Sequence, residues 1–343
     1  MQTSTKCNNA FALKAITVAL LLNTASFVQA EETATVAEKP VTEQLVDTVT
    51  KIAGGPYKGY RANHAKGILV TGTFTPAASA ASLSKAPHLQ KTSNPVIVRF
   101  SNATGMPTIA DANAKASPHG IAMRFQLPGG AYTDIISFSV NGFPAATPEE
   151  FLGLLNAIAA SGPDAAKPSP VEQFLDSHPA ALKFVTTPKP APVSFVTQAF
   201  YGVNAFKFTN AKGESHYGRY RIMPLAGQQA LTDDQAAKAT PNYLMEELPA
   251  RLKIGVAKFR ISVQLAEKDD VINDATAVWP ENRAQVELGV LSLKAVVPDS
   301  QQEEKKLAFN PLILTDGIEP SDDPILLARP AAYAVSVGRR FAD

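Results

Sequence analysis

Four short segments rich in β-branched and aromatic residues follow one another between residues 68 and 140, and they limit the fold of this chain more than any other feature. Residues 68–75 (Ile-Leu-Val-Thr-Gly-Thr-Phe-Thr) carry apolar side chains at alternate positions, the period of a strand. Residues 95–101, 120–125 and 134–140 read as three more strands, with Gly and Pro breaks between them. Thr147-Pro148-Glu149-Glu150 then opens a helix with an N-cap, a Pro in the first position and an acidic first turn. Phe151, Leu152, Leu155 and Ile158 form its apolar face. Short helices are expected at 171–175 and 179–184, and further strands at 205–208, 217–222 and 259–265. Strands with interspersed helices, closing on a helical segment, predict an α+β fold built on a large antiparallel sheet or β-barrel flanked by helices. There is no internal repeat.

The first thirty residues have a different character. Lys6 and Lys14 precede an apolar run, residues 15–22, and Val28-Gln29-Ala30 ends it with small residues, so 1–30 is read as a signal peptide for export to the periplasm or beyond. The run is too short to span a bilayer. Cys7, the sole cysteine, lies within the signal, and its removal leaves a chain without thiols. This fits an oxidising compartment and exposure to oxidants, or simply a protein that does without disulfides. With 32 basic and 31 acidic residues the chain is close to neutral, so bulk attraction to nucleic acid or membranes is not indicated. Residues 31–55 are read as an N-terminal arm in which 41–52 can form a short amphipathic helix. The core runs from 56 to 343.

The last helical stretch, residues 328–340, places Arg329, Tyr333, Ser336 and Arg340 within one narrow stripe at about 3.6 residues per turn. A phenol flanked by guanidinium groups on an otherwise small-residue face suits a flat, anionic ligand. Two readings stand at this point. One is an ordinary cation–π or solvated arrangement. In the other, a cation favours the phenolate form, and the oxygen serves as a hard ligand to the ferric iron of a haem.

Other segments bear on that choice. Arg61-Ala62-Asn63-His64-Ala65-Lys66-Gly67 stands just ahead of the first strand, and an imidazole can take up and return a proton near neutrality. Most of the five histidines (64, 88, 119, 178 and 216) would be surface or structural by type alone. Val98-Arg99-Phe100-Ser101 follows, then residues 201–207 (Tyr-Gly-Val-Asn-Ala-Phe-Lys) with Asn210, then Val278-Trp279-Pro280 and Gly317-Ile318-Glu319-Pro320-Ser321. With Arg329-x-x-x-Tyr333, these segments closely resemble the motifs of the haem catalases, in the same order, from about residue 55 onward. The resemblance is greatest to the short, secreted catalase-related peroxidases.

The resemblance implies a haem b (iron protoporphyrin IX) with Tyr333 as its metal ligand and Arg329 against the phenolate. It further implies Arg61, Arg99 and Arg340 as propionate partners, Phe151 packed on the porphyrin, His64 as the acid–base group and Ser101 hydrogen-bonded to it. Two departures stand out. An Asn that orients peroxide is expected after the fourth strand, where this chain has Phe138-Ser139-Val140-Asn141-Gly142-Phe143-Pro144. Ser139 takes that place by direct count and Asn141 by a two-residue slip, and Asn141 is the candidate carried forward. Asn63 also replaces a small apolar residue ahead of His64. The implied activity is a peroxidase that uses hydrogen peroxide or an organic hydroperoxide to oxidise a small organic reductant, with weak catalase activity. A haem carrier or sensor without turnover and a fatty-acid hydroperoxide isomerase are the rival readings. A monomer or small homo-oligomer without a membrane span is expected.

Overall fold

The leading segments are strands joined as antiparallel neighbours: β1 (Gly67–Pro76), β2 (Asn94–Ser101), β3 (Gly120–Gln126) and β4 (Tyr132–Phe138). After them come β5 (Phe200–Tyr201), β6 (Phe206–Thr209), β7 (Ser215–Pro224), β8 (Ala257–Leu265), β9 (Gln285–Val296) and β10 (Ile318–Pro320). Eight of these strands close in the order β1-β2-β3-β4-β5-β7-β8-β9 and back to β1, so the expected barrel forms, while β6 and β10 extend the sheet beside β7. The computed structural model describes residues 38–342, and the expected signal peptide lies outside them.

Alternation decides what fills the barrel. On β2, Val96, Val98 and Phe100 face inward and are buried, while Arg99 and Ser101 face out. Phe100 meets Phe195, Phe200 and Phe259 inside, with ring centroids 5.3–6.2 Å apart. Each such fully buried side chain contributes about 1.5–3 kcal/mol. The interior is therefore packed solid, and a ligand has to sit outside the barrel wall.

The helices are α1 (Val41–Ile52), α2 (Ala80–Leu83), α3 (Pro148–Ala160), α4 (Pro170–Ser177), α5 (Pro179–Thr186), α6 (Asp233–Lys238), α7 (Tyr243–Ile254), α8 (Ser300–Lys306) and α9 (Pro324–Phe341). The cap expected for α3 is present, since Thr147 Oγ1 accepts from the Glu150 N–H at 3.2 Å. Residues Lys39–Asp343 form one compact unit, so α1, expected within an arm, belongs to the body and packs on α3 and α9. Thr48 donates to Asn156 at 3.2 Å, and Arg339 pairs with Asp47 at 2.5 Å. Among the described residues, no helix is long and apolar enough to cross a membrane.

β9 was not apparent from alternation, and the reason is a bulge. The β8–β9 register slips between Ile261 and Ser262, opposite Gly289, and leaves Leu288, Leu291 and Leu293 all buried. A three-residue step thus replaces a two-residue one in the apolar pattern.

Candidate active site

A cavity of about 320 Å³ lies against the outer face of β2, β3 and β4, roofed by α1, α3 and α9. The stretch 61–64 and Ser101 form one wall; Arg329, Ala332, Tyr333 and Ser336 of α9 form the other. Phe151 of α3 lines the cavity too and packs on Phe143 at 5.0 Å between centroids. Leu45, Val46 and Val49 of α1 complete the apolar side.

The imidazole wall begins with a turn. His64 has a φ of 55°, a left-handed conformation that costs about 1–3 kcal/mol and persists where surrounding contacts hold it. Arg99 supplies such contacts, donating through Nη2 to the His64 carbonyl at 2.9 Å and the Ala65 carbonyl at 3.4 Å. Ala65 N–H is bound by the Thr104 carbonyl at 3.0 Å. His64 Nδ1 lies 3.0 Å from Ser101 Oγ, and Nε2 has no partner among the described residues. Gly120, opposite Ser101 on β3, makes the approach possible: a Cβ there would stand 2.9 Å from Ser101 Oγ and 3.0 Å from the His64 ring. Burial, followed by the charges of Arg99, Arg329 and Arg61, pushes the His64 imidazole down to about 3. It is therefore a neutral base at ordinary pH.

The phenol wall is held from behind. Arg329 Nε donates to Tyr333 Oη at 3.0 Å, whereas the guanidinium carbon stands 5.6 Å from the ring centroid, so its N–H is aimed at the oxygen. Arg329 Nη1 donates to Asn204 Oδ1 at 3.0 Å, and Asn204 Nδ2 donates to Asp323 Oδ2 at 2.7 Å. The other oxygen of Asp323 caps α9, accepting from the N–H groups of Ile325 and Leu326. The carboxylate that starts the helix thereby also fixes the cation beside its phenol. A bond from Ala62 N–H to Ser336 Oγ, at 3.2 Å, joins the two walls.

At one end of the cavity three guanidinium groups meet one carboxylate. Glu304 of α8 accepts from Arg99 Nε at 2.6 Å and stands 3.9 Å from Arg61 Nη1. Arg340 donates to the Leu307 carbonyl at 3.2 Å but has no ion pair among the described residues, and its Nε is buried without a partner. Burial, then Arg99 and Arg340, presses Arg61 downward against the pull of Glu304; burial and Arg99 press Arg340 the same way. A guanidinium keeps its proton in a protein, so this crowding amounts to attraction for an anion. Three cations against one carboxylate leave room for two more negative charges, which is what a porphyrin with two propionates carries. An apolar cavity, a phenol oxygen on one wall and a corner suited to a dianion together fit a haem.

Eight of the nine expected site residues thus line this cavity: Arg61, His64, Arg99, Ser101, Phe151, Arg329, Tyr333 and Arg340. Asn141 does not. β4 ends at Phe138, two residues before the expected 140, and the chain turns away, so that Asn141 Nδ2 donates to Glu281 at 3.2 Å. Ser139 does not take its place either: it is not on the cavity lining, and its Oγ accepts from the His119 N–H at 2.9 Å. Glu304, Asn204 and Asp323 were not singled out from the sequence. Glu304 sits in a run, residues 301–306 (Gln-Gln-Glu-Glu-Lys-Lys), that reads as a solvated helix face. Asp323 was accessible in principle as an N-cap ahead of Pro324.

Comparison with known proteins matches the sequence profile of the catalase family to residues 59–342. A catalase-related peroxidase of Mycolicibacterium paratuberculosis is 35% identical over 87% of this chain and 94% of its own length. A protein of the same description from Synechococcus elongatus is 33% identical over 82% and 84%. A catalase of Alkalihalophilus pseudofirmus is 27% identical over 79% of this chain and 42% of itself. The crystal structure of a fungal catalase superimposes with a TM-score of 0.74 at 19% identity, covering 87% of this chain and 63% of its own, and shares the fold.

Proposed function

The chain belongs to the catalase family, and we propose that it is a haem-dependent peroxidase that uses hydrogen peroxide, or an organic hydroperoxide, to oxidise a small organic reductant. One observation carries the reading: one cavity sets a phenol oxygen with an arginine N–H aimed at it opposite an imidazole whose Nε2 has no partner among the described residues. The cofactor assigned is haem b, with Tyr333 as its iron ligand and Arg61, Arg99 and Arg340 toward its propionates.

When bound, the haem supplies the electrons that break the peroxide O–O bond and takes replacements from the reductant. The protein handles the proton. In the tautomer whose Nδ1–H donates to Ser101, His64 Nε2 is bare and accepts the proton of the near peroxide oxygen. It then delivers that proton to the far oxygen, which leaves as water, and the imidazole is restored. Arg329 keeps a charged N–H on the Tyr333 oxygen, and Asn204 and Asp323 fix its direction. The His64–Ser101 pair favours turnover over carriage, since holding a haem requires neither residue. The charged, apolar, then small-residue order of residues 1–30 supports export to the periplasm or beyond.

The test is the absorbance spectrum of the purified protein. A Soret band is expected in the wild type and its loss in Tyr333→Phe; a variant that keeps the wild-type band overturns the assignment.

A further inference from the structure

The turn at His64 has a second effect. In extended backbone, successive side chains point to opposite sides. Here the chain bends over residues 62–64, and Arg61, Ala62, Asn63 and His64 all line the same cavity. Asn63 is also exposed, which puts it at the mouth. Its carboxamide makes no hydrogen bond among the described residues, whereas Asn204, the other carboxamide on the lining, is committed at both ends, to Arg329 and Asp323. The candidates after β4 are likewise committed elsewhere, Ser139 to the His119 N–H and Asn141 to Glu281.

We propose that Asn63 is the amide that hydrogen-bonds the entering peroxide beside His64, so that the orienting group stands on the imidazole's own turn and not after the fourth strand. An amide suits the task because it offers two N–H donors and a carbonyl acceptor to a molecule that is itself both donor and acceptor. Its position next to the base ties binding of peroxide to the removal of its proton. This inference rests on the haem peroxidase reading above.

The test uses the haem-loaded protein and the variants Asn63→Val, Asn63→Gln and Asn141→Val. Two constants are read: the peroxide KM, and the dissociation constant of azide followed at the Soret band. Asn63→Val is expected to raise both by about 5–10-fold, the scale of one lost hydrogen bond, with kcat within about twofold and haem absorbance unchanged. Asn63→Gln recovers part of the loss, and Asn141→Val behaves as wild type. The inference is overturned if Asn63→Val leaves both constants unchanged, if Asn141→Val reproduces the loss, or if Asn63→Val sheds haem and so marks the residue as structural. A wild-type protein without a Soret band sinks the haem reading itself, and this inference with it; a loaded protein indifferent to Asn63→Val sinks this inference alone.

Discussion

The two walls of the cavity are built in opposite ways. The phenol wall is one helix, in which Arg329, Tyr333, Ser336 and Arg340 keep their relation by helical spacing and the N-cap Asp323 reinforces it through Asn204. The imidazole wall is assembled from residues 61–64, Ser101 and Gly120, which meet only because the β1–β2–β3 register brings Ser101 opposite Gly120. A wall on one element holds its geometry locally, whereas a wall made of three depends on the barrel. The labour should divide along the same line, with the phenol oxygen positioned by the helix, proton transfer by His64 on the turn, and the guanidinium corner shared between them through Arg61, Arg99 and Arg340.

The sharpest way to break that division is His64→Ala. Removing the base is expected to lower kcat/KM for peroxide by about 10²–10⁴-fold in steady-state kinetics while the haem spectrum persists. Loss of haem in this variant would show that the two walls do not act separately. Gly120→Ala asks whether the imidazole wall depends on the sheet. The added methyl would press on Ser101 and the His64 ring, both at 3.0 Å or closer, and an ångström of displacement is worth about 100-fold in turnover. Haem binding should survive that change also.

The smallest effect concerns stability. Burial pushes the His88 and His119 imidazoles down to about 4, and His64 to about 3, so the folded chain keeps them neutral while the unfolded chain protonates them near 6.5. Below 6.5 the unfolded state therefore binds more protons, and stability is full above that pH and lost as it falls toward 4. Each group contributes on the order of 1.4 kcal/mol per pH unit across that window. Urea midpoints between pH 7 and 4.5 should show the slope, and His88→Leu should make it shallower by about one proton. An unchanged slope would mean that His88 titrates in the folded protein as it does in water.

How much of this could be read beforehand follows the same contrast. The phenol stripe was legible because a helix converts spacing into geometry without outside help. The sheet was legible wherever alternation is clean, and β9 escaped because its bulge at Gly289 shifts the phase of the apolar residues. The imidazole wall could be named by resemblance to a motif, but its construction could not. Nothing in the residue order says that Gly120 must lack a side chain for Ser101 to reach His64, or that Glu304 and not Glu303 turns inward. The misplaced amide has a similar cause: β4 stops two residues early, and a small change in where a strand ends turns a side chain from the cavity to the surface.

The bond between Ala62 and Ser336 spans 274 residues of chain. A growing polypeptide that has completed only the barrel already carries α1 and α3, but its imidazole has no phenol wall opposite it. The two walls meet only when α9 has been synthesised and docks, so a cofactor that needs both is taken up after the barrel has formed.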